Sequence, residues 1–292
     1  MVAAMDLRRL GYFIAVAEEG NVGRAARRLH MSQPPLSQRI RELETELDCA
    51  LFVRTPRGME LTEPGRVLLV EARSLLAGAE QARERVRRTA GDRVLRVGVL
   101  GPGESALSFP VAAAFGRSHP DTVVRLRQGD LRDPLVGLTT GQVDLAITFG
   151  PFDETGLTTR TVREDRCFAA VHADDPLARR RSLTRRDLEG HTCVRLPQSA
   201  DPLWRDFWQP TGTAAGPTVQ SLDECLHSVL WQHSVALVPG QAVARHRVEG
   251  IVYRAVTDVP PSRLLLTWRR DDRSPLIDAY ADAFCAAPAR AG

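Results

Sequence analysis

At the start of the chain, apolar residues recur every three or four positions, the period of helices that bury one side. Asp6, a favoured N-cap, precedes Leu7, Leu10, Ile14 and Ala17, and Gly20 follows as a stop, which predicts a first helix. Asn21 caps a short second helix through Leu29. His30 and Met31 make a brief turn, and Ser32 opens a third helix running to about Asp48. Pro34 and Pro35 fall in its first turn, where a missing N–H costs little. In that helix Leu36, Ile40, Leu43 and Leu47 fall within an arc of about 60°. Gln33, Pro34, Ser37, Gln38 and Arg41 occupy a flank without apolar anchors, rich in groups that reach base edges or phosphates. Short helix, tight turn, then a helix with a polar N-terminal face is a helix-turn-helix pattern. Leu51–Arg54, the turn Thr55–Gly58 and Met59–Leu61 follow as a hairpin. They add a wing.

From Thr62 a long helix is expected to about Thr89, ending before Gly91. Gly65, Leu68, Ala72, Leu75, Ala79, Ala82 and Val86 alternate spacings of three and four, a heptad seam that suits packing against an identical helix. Beyond Gly91 the pattern changes to strands alternating with helices. Val94–Leu100, Ser105–Ser118, Val123–Arg127, Pro134–Thr139 and Asp144–Phe149 read as β-α-β-α-β, which predicts a parallel sheet. Further strands are expected at Thr158–Arg163, Cys167–Val171, Thr192–Leu196, Thr218–Leu222, Val235–Val238 and Leu264–Trp268. Helices are expected at Pro202–Trp208, Asp223–His233 and Pro275–Ala286. Extended crossovers near Arg160–Glu164 and Val259–Ser262 suggest two α/β lobes with a cleft between them.

Composition narrows the class. The 292 residues are 43% hydrophobic and 26% charged, enough apolar material for a sizeable core and too much for a disordered chain. No run approaches the ~18 apolar residues of a spanning helix, and no secretory signal is visible, so a cytoplasmic protein is expected. Five scattered cysteines without a C-x-x-C pair read as small buried hydrophobes rather than metal ligands. All 39 basic residues are arginine, and the whole surplus of +3 lies in residues 1–91. That locates the search for an anionic partner without proving one.

At this point the chain resembles the LysR-type transcriptional regulators. The matching residues are Arg24–His30, Ser32–Ser37, Arg39–Glu44, Leu51–Arg54 and Leu61–Arg66, in family order; Gly141–Ile147 and Val235–Pro239 match the second domain more weakly. The resemblance implies an α+β protein with a winged helix-turn-helix at 1–61 and a linker and dimerisation helix at 62–91. A two-lobed effector domain like a periplasmic binding protein would fill 92–292, with lobe one at 92–162 and 264–292 and lobe two at 163–263. It also implies action as a dimer of dimers on double-stranded operator DNA, with RNA polymerase as a partner if the protein activates. Ser32, Gln33, Pro34, Ser37 and Gln38 would contact DNA, Arg41 would read a base or anchor a phosphate, and Arg54 in the wing would meet phosphate. Leu68, Ala72, Leu75, Ala79 and Val86 would form the dimer seam. Two departures stand out. Asn21-Val22-Gly23 replaces the Ser-Phe-Thr of many relatives, and Gln232-His233-Ser234 replaces a Gly-x-Gly.

Other chemistry is weaker. Gly101–Ala106 fits G-x-G-x-x-A after a strand, which makes a nucleotide-dependent oxidoreductase the alternative. The acid that should end the second strand is misplaced, since Asp121 precedes that strand and Asp130 lies beyond it. No H-E-x-x-H and no G-x-S-x-G occurs, so no metal, cofactor or catalytic activity is expected. A cleft in such folds lies beyond the carboxyl ends of strands. That places Gly101, Ser105, Gly129, Asp130 and Phe149 from one lobe, and Gln198 and Ser199 from the other, around a small-molecule effector. On that reading Ser105 and Gln198 orient a polar or zwitterionic ligand, Asp130 repels anions, and Trp231-Gln232-His233 narrows the site.

Overall fold

A computed structural model describes residues 6–55, 58–89 and 93–286. The chain forms two compact units, the first Met1–Gly91 with Thr139–Gly141 and the second Asp92–Leu138 with Gln142–Gly292. In the first, Asp6 caps α1 (Leu7–Glu19) by accepting the Arg8 N–H at 2.9 Å, and Gly20 ends it in the left-handed conformation. The Asn21 side chain caps α2 (Val22–Arg28) through the Arg24 N–H. Ser32 stands at the N-cap of α3 (Gln33–Glu46) with extended backbone, although its side chain makes no capping bond. The helix stops at Glu46, short of the expected Asp48. Leu36, Ile40 and Leu43 are buried with Leu10, Phe13, Val16 and Leu51, and the Phe13 and Phe52 rings meet at 5.3 Å. This is the apolar stripe of the sequence, packed.

Strands β1 (Phe52–Thr55) and β2 (Gly58–Leu61) pair antiparallel; the expected turn residues Pro56 and Arg57 lie outside the described residues. Gly20 O accepts the Met59 N–H at 2.8 Å, which fixes the hairpin to the end of α1. The long helix α4 (Glu63–Thr89) begins where the Thr62 hydroxyl accepts the Gly65 N–H. Here the heptad seam divides. Leu68 and Ala72 are buried in the core shared with α1, so they are not free to form a dimer seam; Ala79 is half-buried, while Leu75 and Val86 are exposed. A small domain with few helices needs the first turns of α4 to close its core, and that demand takes the N-terminal half of the seam.

In the second unit a five-stranded sheet has the order β4-β3-β5-β13-β6, formed by β3 (Val94–Leu100), β4 (Val123–Gly129), β5 (Leu145–Phe149), β6 (Leu157–Asp165) and β13 (Ser262–Arg269). The first three run parallel, as the alternating pattern predicts, and β13 lies antiparallel between β5 and β6. Helices α5 (Pro102–Ser118) and α9 (Pro275–Ala286) pack beside it, with Phe115 edge-on to Tyr280 at 5.3 Å. The expected helix at Pro134–Thr139 is instead a run of turns with Val136 and Gly137 at positive φ. Val136 presses onto Gly98 and Gly129, where even a Cβ would sit within 3 Å, so the segment lies too close to the sheet for a helical turn. Strand β6 stays in this sheet to Asp165, past the crossover expected from the sequence.

A four-stranded sheet, order β11-β7-β12-β8, is built from β7 (Cys167–His172), β8 (Ser182–Leu183), β11 (Ala236–Pro239) and β12 (Ile251–Val256). Strands β9 (Thr192–Arg195) and β10 (Ala214–Thr218) pair parallel beside it. The expected strand at Thr218–Leu222 is displaced: β10 ends at Thr218, and Ser221 caps α7 (Leu222–Gln232) by accepting the Glu224 N–H. Helices α6 (Pro202–Trp208) and α8 (Gly240–Arg245) complete this lobe. No helix among the described residues is long and apolar enough to cross a membrane.

Candidate functional site

The first candidate surface lies on α3 and the wing. Gln33, Pro34, Pro35, Ser37, Gln38, Arg41 and Arg54 line one shallow groove. The sequence selects all of these except Pro35, which shares the exposed first turn; Ser32 is exposed just before it, outside the groove wall. Several arginines of this unit are engaged: Arg9 with Glu46 at 2.9 Å, Arg28 with Glu18 at 2.9 Å, Arg73 with Glu18 at 3.0 Å. Arg41 and Arg54 are exposed and make no ion pair among the described residues, so their guanidinium groups remain available to an anion. The Gln38 amide donates to Glu42 at 3.3 Å, and together with Arg39 it holds the Glu42 carboxyl below its ordinary range. Gln38 is thus oriented by a bond long enough to exchange for a better acceptor.

The second candidate is a cavity of about 170 Å³ inside the effector unit. Its walls come from the carboxyl ends of β3, β4 and β5, from α6, from the start of α7, and from β11 and α8. Gly101, Gly129, Asp130 and Phe149 line it as the strand-end rule requires. Ser105 lies on α5, but its side chain is outside the described set. Gln198 and Ser199 do not line the cavity. Both are exposed, and Gln198 accepts from the Arg205 guanidinium through its carbonyl and side-chain oxygens at 3.1 and 2.6 Å. Asp201 caps α6 just beyond them, and the turn delivers Trp204 and Trp208 to the wall instead.

The charge at this site also differs from expectation. Asp130 is bonded to Arg132 at 2.6 Å. Burial pushes its carboxyl up, but the hydrogen bonds and charge of Arg132 outweigh burial and hold it below the ordinary value. It is an ionised group already neutralised, not a bare anion. Burial pushes the Cys225 thiol up to about 12, so this wall residue is a neutral thiol at physiological pH. The Trp231-Gln232-His233 segment does not narrow the cavity. Trp231 is 80% exposed with its ring stacked on His227, and His233 ends α7 in the left-handed conformation that a glycine would adopt at less cost. Sequence reading missed the two indoles, Ser221, Gln241, Arg245 and His246. The four-residue spacing of Trp204 and Trp208 marks them as one face of a helix but does not say what that face lines. No group of three or more metal-binding side chains occurs among the described residues.

Two family models cover the chain. The bacterial regulatory helix-turn-helix protein, lysR family, matches residues 7–66, and the LysR substrate binding domain matches residues 88–287. The chain belongs to the LysR family of DNA-binding transcriptional regulators with an effector-binding domain. It is 32% identical over 285 residues to the HTH-type transcriptional regulator AlsR of Bacillus subtilis, which covers 94% of each chain. It is 31% identical over 290 residues to TfdS of Cupriavidus pinatubonensis, covering 95% of this chain and 97% of that one. Among solved structures, CbnR, a LysR family transcriptional regulator, aligns over 96% of this chain and 100% of its own at TM-score 0.50 and 26% identity. A full-length OxyR from Pseudomonas aeruginosa aligns over the same shares at TM-score 0.51 and 27% identity. The oxidoreductase alternative finds no support among these relatives.

Proposed function

We propose that this regulator reads operator DNA with the α3 groove, with Gln33, Pro34, Ser37 and Gln38 at base edges and Arg41 and Arg54 at phosphates. It acts by binding rather than catalysis, in the cytoplasm, and engages RNA polymerase where it activates. The observation that carries the reading is the groove itself, in which a polar helix face and a wing arginine meet without acidic neighbours in its wall. A duplex gains affinity from phosphate contacts and specificity from base contacts, so the two kinds of residue separate in experiment. Arg54→Ala is expected to weaken binding on every sequence and lower the salt slope by about one. Gln38→Ala is expected to leave the slope alone and to change base preference by about 1–3 kcal/mol at one position. Footprinting with salt titration decides the matter; unaltered sequence preference in the Gln38 variant defeats the base-reading assignment.

Residues 62–91 serve as the dimer-forming linker on this reading, through the exposed side of α4 that includes Val67, Leu75 and Val86. Dimers then pair into tetramers on the operator. Leu75→Glu would place a charge against its symmetry mate, and the cost of desolvating it, about 3 kcal/mol, is expected to raise the dimer dissociation constant by more than about a hundredfold. Sedimentation at submicromolar concentration measures this; an undiminished dimer rules out Leu75 as a contact. Residues 92–292 hold the effector in the cavity between the two sheets of that unit.

A further inference from the structure

Arg163 stands outside the cavity wall, yet it is bonded to it. Its Nη2 donates to Gln241 Oε1 at 2.6 Å, and Nε and Nη2 both donate to Asp165 Oδ2, at 2.9 and 2.7 Å. The bond to Gln241 crosses from one lobe to the other, because Arg163 lies on β6 of the five-stranded sheet and Gln241 on α8. A break in strand register brings the guanidinium there. Leu264 stands opposite Arg163 but Leu265 opposite Thr161, so Val162 is an extra residue in β6. A bulge of this kind re-aims the side chains that follow it. Opposite residues of an antiparallel pair share a face. Arg163 therefore joins the face of Leu264 and Leu266, where a regular strand would have kept it with Thr161.

Helix α8 needs such an anchor. It has six residues, too few for a helix stable by itself, and Pro239 at its N-cap makes no side-chain capping bond. A Cβ on Gly240, its first residue, would stand 3.1 Å from the Arg166 carbonyl oxygen and 3.5 Å from Asp165 Cβ. The helix thus begins in contact with the strand by which the chain leaves the five-stranded sheet. Gln241, Ala242 and Arg245, with His246 at the helix end, line the cavity. Gln241 is buried, and its amide oxygen cannot swing away without losing a charge-assisted bond. We propose that Arg163 is a positioning residue of the effector cavity, holding α8 and its share of the wall against the end of β6. The proposal rests on the cavity being the effector site and adds a residue outside the wall that keeps the wall in place.

Hydrogen exchange and calorimetry on the full-length protein test this, with benzene as the probe. An apolar cavity of about 150 Å³ holds benzene, and this one, walled by Leu100, Phe149, Val194 and Leu237, measures about 170 Å³. In the parent, benzene is expected to bind and to slow exchange of α8 amides such as that of His246, which donates to Ala242 O at 2.8 Å. Arg163→Met is expected to speed α8 exchange about tenfold or more and to weaken benzene about threefold or more, with the amides of β3 and β5 unchanged. Gln241→Leu deletes the acceptor and is expected to speed α8 exchange likewise. The double variant should exchange no faster than Arg163→Met alone, since the two changes remove one shared bond. Unchanged α8 exchange in the single variants, additive effects in the double one, or exchange raised equally in β3 and β5 overturns the positioning role while the cavity stands. Faster α8 exchange with unaltered benzene affinity in Arg163→Met overturns its bearing on the ligand. A parent that binds no benzene overturns the cavity reading, and the role of Arg163 falls with it.

Discussion

Replacing Arg269 by methionine is expected to destabilise the effector unit by about 3–5 kcal/mol, the cost of leaving one member of a buried ion pair alone. Arg269 projects from β13 into the turns that precede β5. Its guanidinium donates to the carbonyls of Leu138 and Val143, both at 2.9 Å, and to Asp272 at 3.1 Å, with Asp144 at 3.8 Å. Asp144 is 1% exposed and also accepts the Arg96 N–H at 2.8 Å, so it ties β3 to the same knot. Methionine fills much of the space and satisfies none of these acceptors. All four tryptophans lie in this unit, so indole fluorescence during urea unfolding follows it selectively. A loss under about 1 kcal/mol would match an exposed pair and exclude a buried role for Arg269.

Gly65→Ala is expected to have a comparable effect on the other unit, about 3 kcal/mol, at the upper end for overpacking. A Cβ there would stand 2.2 Å from the Leu51 carbonyl oxygen and 3.0 Å from Leu61 Cδ2. The carbonyl has little freedom to retreat, because it accepts the Thr62 N–H at 3.0 Å while the Leu51 N–H is held by Glu44 at 2.8 Å. The hairpin carrying Arg54 must move, and operator affinity should fall more than about a hundredfold. Far-ultraviolet circular dichroism should shift while the tryptophan transition stays in place. A variant that binds operator like the parent shows that the wing tolerates the shift.

The two halves of the molecule were unequally legible. In the DNA-reading unit each decision is local: Asp6 and Asn21 cap helices, paired prolines fix a first turn, and Leu36, Ile40 and Leu43 mark the buried side by spacing alone. The polar groove residues followed because what is not core on so short a helix is surface. The heptad seam failed at Leu68 and Ala72 because periodicity reports that a face is covered, not what covers it. In the effector unit, Gly101, Gly129 and Phe149 were found by a topological rule, since strand ends converge whatever their side chains. Trp204 and Trp208 were not. Their place in the wall depends on how α6 is set against β11, a long-range outcome that no local spacing encodes. Likewise Val136 reads as part of a helix until its contact with Gly98 and Gly129 is known.

Asp165 and Ser262 stand opposite one another in the antiparallel pairing of β6 and β13. Everything between them therefore leaves the five-stranded sheet and returns to it at a single point. Such an excursion can be exchanged as one block by recombination, with two neighbouring junctions and no change in the order of the strands it departs from. The exchanged block would carry Trp204, Trp208, Leu237 and Gln241, while Leu100, Gly129 and Phe149 would stay behind. On the proposed reading of cavity and groove, a lineage could thus acquire a new chemical signal by replacing one wall of its receptor, and keep unaltered the surface that addresses its genes.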